Sequence, residues 1–179
     1  AWSADIMENG GAEVINFQDP CIFPKACKNN IEAQGMRNSH IRDGVAVCKF
    51  LAWLDRQIEN NILLDEGILS DKLELFRKEG DMFMGISFDT ISGAGENAAI
   101  VHYNHTNSNS PKKIEMNSVY LVDSGGQYLD GTTDITRTII IGNPNTKIKK
   151  AFTLVLKGHI ALGRAIFPKG TAGVQLDPL

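Results

Sequence analysis

The stretch from about Asn30 to Glu59 contains no proline, and Gly35 and Gly44 are its only glycine interruptions. Ile41, Val45, Val47, Phe50, Leu51, Leu54 and Ile58 recur in it at spacings of three and four, which predicts one long amphipathic helix capped by Asn29 or Asn30. An apolar stripe of that length needs a broad partner. With 179 residues, 42% of them hydrophobic, the chain can bury one core of ordinary size, so it reads as one domain or a large piece of one.

A shorter helix is expected from near Ser70 to Lys78, with Leu73, Leu75 and Phe76 inward and a stop at Gly80. Runs of β-branched and aromatic residues between turn formers then predict strands at Met82 to Ser87, Ala98 to Tyr103, Ser118 to Asp123 and Ile135 to Ile141. The polar loop NHTNSNSPKK separates the second run from the third. The last pair is expected to form a hairpin through Gln127 to Thr132, with Asp130-Gly131 supplying a turn residue able to take positive φ. A final helix from about Thr146 to Phe167 would carry Ile148, Phe152, Val155, Leu156, His159 and Ile160 on one face. Helices flanking consecutive antiparallel strands, without alternating βαβ units, give an α+β fold class.

Charge and cysteine content exclude several roles. A net charge of −3 with no cluster of Lys or Arg argues against binding nucleic acid or an anionic membrane. Cys21, Cys27 and Cys48 are an odd number without a CxxC pair, which suits reduced thiols in the cytoplasm; Cys48 is expected in the core. No run reaches the roughly 18 to 20 apolar residues of a membrane span, and the opening AWSADIMENGG is no secretory signal. That opening, without an initiator Met, reads as a processed end or the middle of something longer.

The segment with most chemistry is VDSGGQYLDGTTDITRT, where Asp123, Asp130 and Asp134 fall within twelve residues and two of them sit at predicted strand ends. Adjacent strands of a hairpin can bring such carboxylates onto one divalent cation or a pair of them. On spacing alone the aspartates more often cap turns, as Asp130 before Gly131 is expected to do. His102 in AAIVHY is either a satisfied core histidine or a site residue. His105, in a polar loop, is not read as a ligand, and His40 and His159 are read as structural. Arg137 is expected in a surface or structural ion pair.

The blocks GMRNSHIRDGVAV, SFDTISGAGENAAIVHY, VDSGGQYLDGTTDITRT and VLKGHIALGRAIFPKGT, in this order over roughly residues 20 to 179, resemble the Xaa-Pro aminopeptidases of metallopeptidase family M24. The likeness is to the long, three-domain cytosolic aminopeptidase P type. It implies a pita-bread fold, a homodimer, and two divalent metal ions, most often Mn²⁺ with Zn²⁺ or Co²⁺ as alternatives. The implied substrates are peptides with proline in second position. By this resemblance Asp123 and Asp134 are metal ligands, Asp134 bridging the two ions. His102 is then a catalytic residue that hydrogen-bonds the substrate or its tetrahedral intermediate, and Phe88 lines the substrate pocket.

The family site also needs a histidine and two glutamates downstream of DITRT, and beyond Asp134 this sequence has only His159 and Asp177 of such donors. The chain is therefore expected to be a fragment, inactive alone. Residues 1–28 would be the end of a preceding domain or a linker, and residues 29–179 the N-terminal part of the catalytic domain. Two other readings stay open: a non-catalytic pita-bread binding module, and a prolidase acting on Xaa-Pro dipeptides.

Overall fold

The computed structural model describes residues 2–15, 17–107 and 110–179. Positions 108 and 109 of the polar loop, and positions 1 and 16 of the leading segment, lie outside the described residues. The helices are α1 (Trp2–Asn9), α2 (Ile22–Ala26), α3 (Asn30–Glu59), α4 (Glu66–Lys78) and α5 (Thr146–Arg164). The strands are β1 (Phe83–Ile86), β2 (Ile91–Ala94), β3 (Ser118–Ser124), β4 (Gly126–Tyr128), β5 (Gly131–Thr132) and β6 (Ile135–Ile141).

Helix α3 begins where a capping box can satisfy its first amides. Asn29 Oδ1 accepts from the N–H groups of Ile31 and Glu32, and Glu32 returns a carboxylate to the Asn29 amide at 2.8 Å. Its buried face follows the expected stripe at Val47, Phe50 and Leu54 and departs from it nearer the N-terminus. Gly35, Ser39, Asp43, Ala46, Val47, Phe50 and Leu54 point inward, while Ile41, Val45 and Cys48 are exposed. The physical reason lies in the first half of the helix, where a β-hairpin packs so closely that only small or ion-paired side chains fit. A Cβ on Gly35 would collide with the Asp130 carbonyl oxygen, and one on Gly131 with the Ser39 hydroxyl.

Helix α4 starts earlier than expected, because Asp65 Oδ1 caps the Ile68 amide at 2.9 Å. Leu69 and Leu73 face the core, whereas Leu75 is exposed and Phe76 only packs against the core's margin.

Two three-stranded antiparallel sheets follow, ordered β1-β4-β5 and β2-β3-β6. The core lies between α3, α4 and the β2-β3-β6 sheet, with Phe50, Leu54, Leu69, Leu73, Tyr120 and Ile141 almost wholly buried. The expected strand from Ala98 to Tyr103 does not form. Residues Gly95–Ala99 make a 3-10 turn, and Val101 and His102 are exposed. Its place in the sheet is taken by Ile91–Ala94, whose Gly93 packs tightly on the backbone of Ala98, 3.0 Å from where a Cβ would sit.

Strands β3 and β6 pair as expected, but the segment between them folds as its own hairpin into the other sheet. The turn at Asp130-Gly131 uses no positive φ. Helix α5 ends at Arg164 rather than near Phe167 and buries no residue, leaving Val155, Leu156 and Ile160 exposed.

Candidate active site

A cleft of about 470 Å³ opens at one end of the β2-β3-β6 sheet, lined by Phe88, Asp89, Ile91, His102, Tyr103, Asn104, Asp123 and Asp134. Strand register explains why these residues meet. Ile91, Asp123 and Thr136 are direct cross-strand neighbours on β2, β3 and β6, so their side chains share one face. Asp134 stands two residues before Thr136, at the entry to β6. The opposite face carries Tyr120 and Val122 into the core, so strand alternation forces Asp123 outward into the cleft.

Among the described residues the Asp123 carboxylate is oriented by one bond, from Thr136 Oγ1 to Oδ1 at 2.8 Å, and its Oδ2 has no donor. Asp134 is exposed and has no hydrogen bond or ion pair among the described residues. Two carboxylates with free oxygens facing one cleft fit a divalent cation. Among the described residues, no group of three or more His, Cys, Asp and Glu side chains converges for metal binding, so these two would supply only part of a coordination shell.

Behind the cleft, the end of β3 is tied to the interior by a buried ion pair. Arg77 donates from Nε to Asp43 Oδ1 at 2.6 Å and from Nη2 both to Asp43 Oδ2 and to Ser124 Oγ, the residue after Asp123. Tyr128 completes the cluster through its hydroxyl to Asp43 Oδ1 at 2.8 Å. Burial pushes the Asp43 carboxyl up, but the hydrogen bond and charge of Arg77, with Tyr128 and Thr133, outweigh it and hold the group below its ordinary value. Gly125 is needed beside this cluster, since a Cβ there would collide with the Thr133 carbonyl and the Ser87 hydroxyl.

His102 occupies the left-handed region at φ 52°, a conformation that costs a non-glycine residue on the order of 1 kcal/mol. Its ring makes no hydrogen bond among the described residues, and it is exposed at the cleft rather than satisfied in a core. Next to it, Tyr103 donates its hydroxyl to Glu66 Oε2 at 2.8 Å. Burial, followed by this contact with Glu66, pushes the phenol up to about 12.

The structure thus brings Phe88, His102, Asp123 and Asp134 together. Asp130 is elsewhere, paired with Arg42 on α3. Among the described residues Arg137 makes no ion pair; its Nη1 donates to the Thr136 carbonyl at 2.8 Å. His40 and His159 are exposed and away from the cleft, and His105 has a buried Nδ1 without a partner. Sequence reasoning did not name Asp89, Ile91, Tyr103 and Asn104 as cleft residues. They adjoin Phe88 and His102 in the chain, and recognising Ile91–Ala94 as a strand would have placed Ile91 opposite Asp123.

A family model described as metallopeptidase family M24 matches residues 34–178. A probable Xaa-Pro aminopeptidase P from Talaromyces marneffei is 49% identical over 100% of this chain, which covers 27% of that relative's length. Among solved structures, an X-prolyl aminopeptidase from Caenorhabditis elegans, described as a cytosolic enzyme with a di-nuclear active site, superposes with a TM-score of 0.82. The two are 44% identical over 89% of this chain and 26% of the nematode chain. The Xaa-Pro dipeptidase from Bacillus anthracis gives a TM-score of 0.77 at 25% identity, over 99% of this chain and 47% of that one. The chain therefore spans about a quarter of the length of the fungal relative and of the nematode enzyme.

Proposed function

This chain belongs to metallopeptidase family M24, whose pita-bread fold it shares, and on that premise we propose that it is part of an Xaa-Pro aminopeptidase. The protein would release the first residue from peptides with proline in second position. The observation that carries the reading is the convergence of Asp123 and Asp134, from paired strands, on one cleft with His102 and Phe88. Residues 29–179 form the N-terminal part of the catalytic domain in this reading, and residues 1–28 a linker or the end of a preceding domain. The family match over 34–178 supports that division. A homodimer and a cytoplasmic location belong to the same proposal. The cytosolic nematode enzyme supports the location, and no helix among the described residues is long and apolar enough to cross a membrane.

Asp123 and Asp134 would hold two divalent ions, Mn²⁺ in this reading, together with donors beyond the described set. When bound, such ions acidify water and polarise a scissile carbonyl. The chain's own residues prepare the rest. Thr136 fixes the orientation of Asp123 through its 2.8 Å bond. Phe88 and Ile91 give the cleft an apolar wall against which a proline ring or first side chain can rest. His102, whose ring has no hydrogen-bond partner among the described residues, can donate to the substrate's carbonyl oxygen as negative charge develops there.

The test is Asp134→Ala in the full-length protein. It should lose bound metal and Mn²⁺-stimulated release of arginine from Arg-Pro-Pro while its metal-free form unfolds at the same temperature as the metal-free wild type, because Asp134 is exposed and supports no packing. Full metal content and activity in the variant would sink the assignment. The dipeptidase likeness makes a prolidase the second reading, though at 25% identity against 44% for the aminopeptidase. Hydrolysis of Arg-Pro in place of Arg-Pro-Pro would select it.

A further inference from the structure

Glu66, the first residue of α4, is fully buried and makes no ion pair among the described residues. The nearby Lys112 ammonium is engaged instead by Glu96 at 2.5 Å and Glu115 at 3.6 Å. The carboxylate is satisfied by four neutral donors. Oε1 accepts from the Ala94 amide and Asn97 Nδ2, each at 2.8 Å. Oε2 accepts from the Tyr103 hydroxyl at 2.8 Å and the Lys112 amide at 3.0 Å. Asn97 Nδ2 also donates to the Tyr103 oxygen at 2.9 Å, closing a ring of bonds. An ionised carboxylate is acceptor-only, so this arrangement uses both of its oxygens fully.

Three of those donors bracket the turn that carries His102. Ala94 and Asn97 fix where it leaves β2, and Tyr103 fixes where it returns along the cleft wall. Inside the turn the Tyr103 amide donates to the Ile100 carbonyl at 3.2 Å, and His102 sits between them in a left-handed conformation with no side-chain bond of its own. Nothing in the described residues holds the imidazole directly, so its place over the cleft is set by backbone that Glu66 anchors.

We propose that Glu66 is a positioning residue which, through Tyr103 and Asn97, holds His102 at the cleft. This deepens the proposed function and rests on His102 having a role in turnover. Glu66→Gln would set amide N–H groups against other donors and endanger folding, so Tyr103→Phe in the full-length, metal-loaded protein carries the test. Removing that hydroxyl should lower kcat for Arg-Pro-Pro by about tenfold, in the range produced when a reacting group is displaced by less than an ångström or so, with KM little changed. Metal content should stay the same. The loss should vanish when Tyr103→Phe is placed in a His102→Ala background, because a residue acting through His102 has nothing left to position. Hydrogen exchange of the peptide spanning residues 95–104 should also quicken in Tyr103→Phe.

An equal loss in both backgrounds, or unchanged exchange over 95–104, overturns the proposal. So does wild-type kcat in Tyr103→Phe while His102→Ala is impaired. If His102→Ala itself turns over normally, the role given to His102 fails and this inference falls with it. That outcome leaves the Asp134→Ala result, and hence the metallopeptidase reading, untouched.

Discussion

Gly35 faces two opposing demands. Replacing a mid-helix glycine with alanine favours the helix by up to about 1 kcal/mol. Here the new Cβ would collide with the backbone oxygen of Asp130, a group that cannot swing aside as a flexible side chain could, and overpacking of this sort costs about 1–3 kcal/mol. Gly35→Ala is therefore expected to lower stability, with faster hydrogen exchange in residues 126–132, and a rise in melting temperature would refute the contact. A second residue-scale prediction concerns acid. Asp43 is held below its ordinary value of 3.8, so its pairing with Arg77 contributes stability that is fully present above that pH and is lost as pH falls through the lower, folded value. Asp43→Asn leaves Arg77 buried without its counter-charge. It should cost about 3–5 kcal/mol near neutral pH and make acid unfolding less steep below about pH 4, as read from denaturation midpoints at a series of pH values.

Single elements show which parts of the fold were legible before the structure. Helix α3 was, to the residue, because a cap, a proline-free run and helical spacing agree; Asn29→Ala, which removes the box, should cost about 1 kcal/mol in chemical denaturation and spare activity. Its inward face was legible only toward the C-terminal half, where Val47, Phe50 and Leu54 are buried and Leu51 and Ile58 pack against the core. The periodicity of Ile41 and Val45 is real, but the hairpin against Gly35 and Ser39 selects small residues there, and tertiary packing overrides the apolar count. Strands β1, β3 and β6 follow their β-branched patterns. Strand β2, ISGA, is too short and too rich in small residues to signal itself, while the apolar run ending in Val101 and His102 imitates a strand and forms a turn. Of the site, Asp123, Asp134, His102 and Phe88 came from motif likeness, and the structure places all four on one cleft. Glu66 and Tyr103 were missed because a buried carboxylate satisfied by dispersed backbone and side-chain donors leaves no local spacing in the sequence.

At the scale of the whole molecule, the packing is lopsided. Helices α3 and α4 cover one face of the β2-β3-β6 sheet, while α5 follows β6 with its amphipathic sequence facing solvent. Among the exposed apolar groups are Leu154, Val155, Leu156, Ile160, Leu162 and Ile166. Isolated apolar residues are ordinary on a surface, but here they gather on and just beyond a helix that buries none of its residues, and such clusters mark surfaces that other chain or another protein covers. The same incompleteness appears in the chemistry, where two carboxylates meet without a third donor among the described residues. Both observations lead to one expected outcome. The 179-residue chain produced alone should self-associate or bind an apolar dye, take up Mn²⁺ weakly, and release no arginine from Arg-Pro-Pro. The full-length protein should do the reverse on each count. Light scattering, metal titration and the peptide assay on the two samples read these properties independently. A monomeric short chain that binds two Mn²⁺ ions tightly and turns over substrate would show that its own residues complete the site, with donors other than those the cleft displays. A monomeric but inert chain would mean that α5 is tolerated as a solvent-facing helix, which separates the packing argument from the argument about ligands.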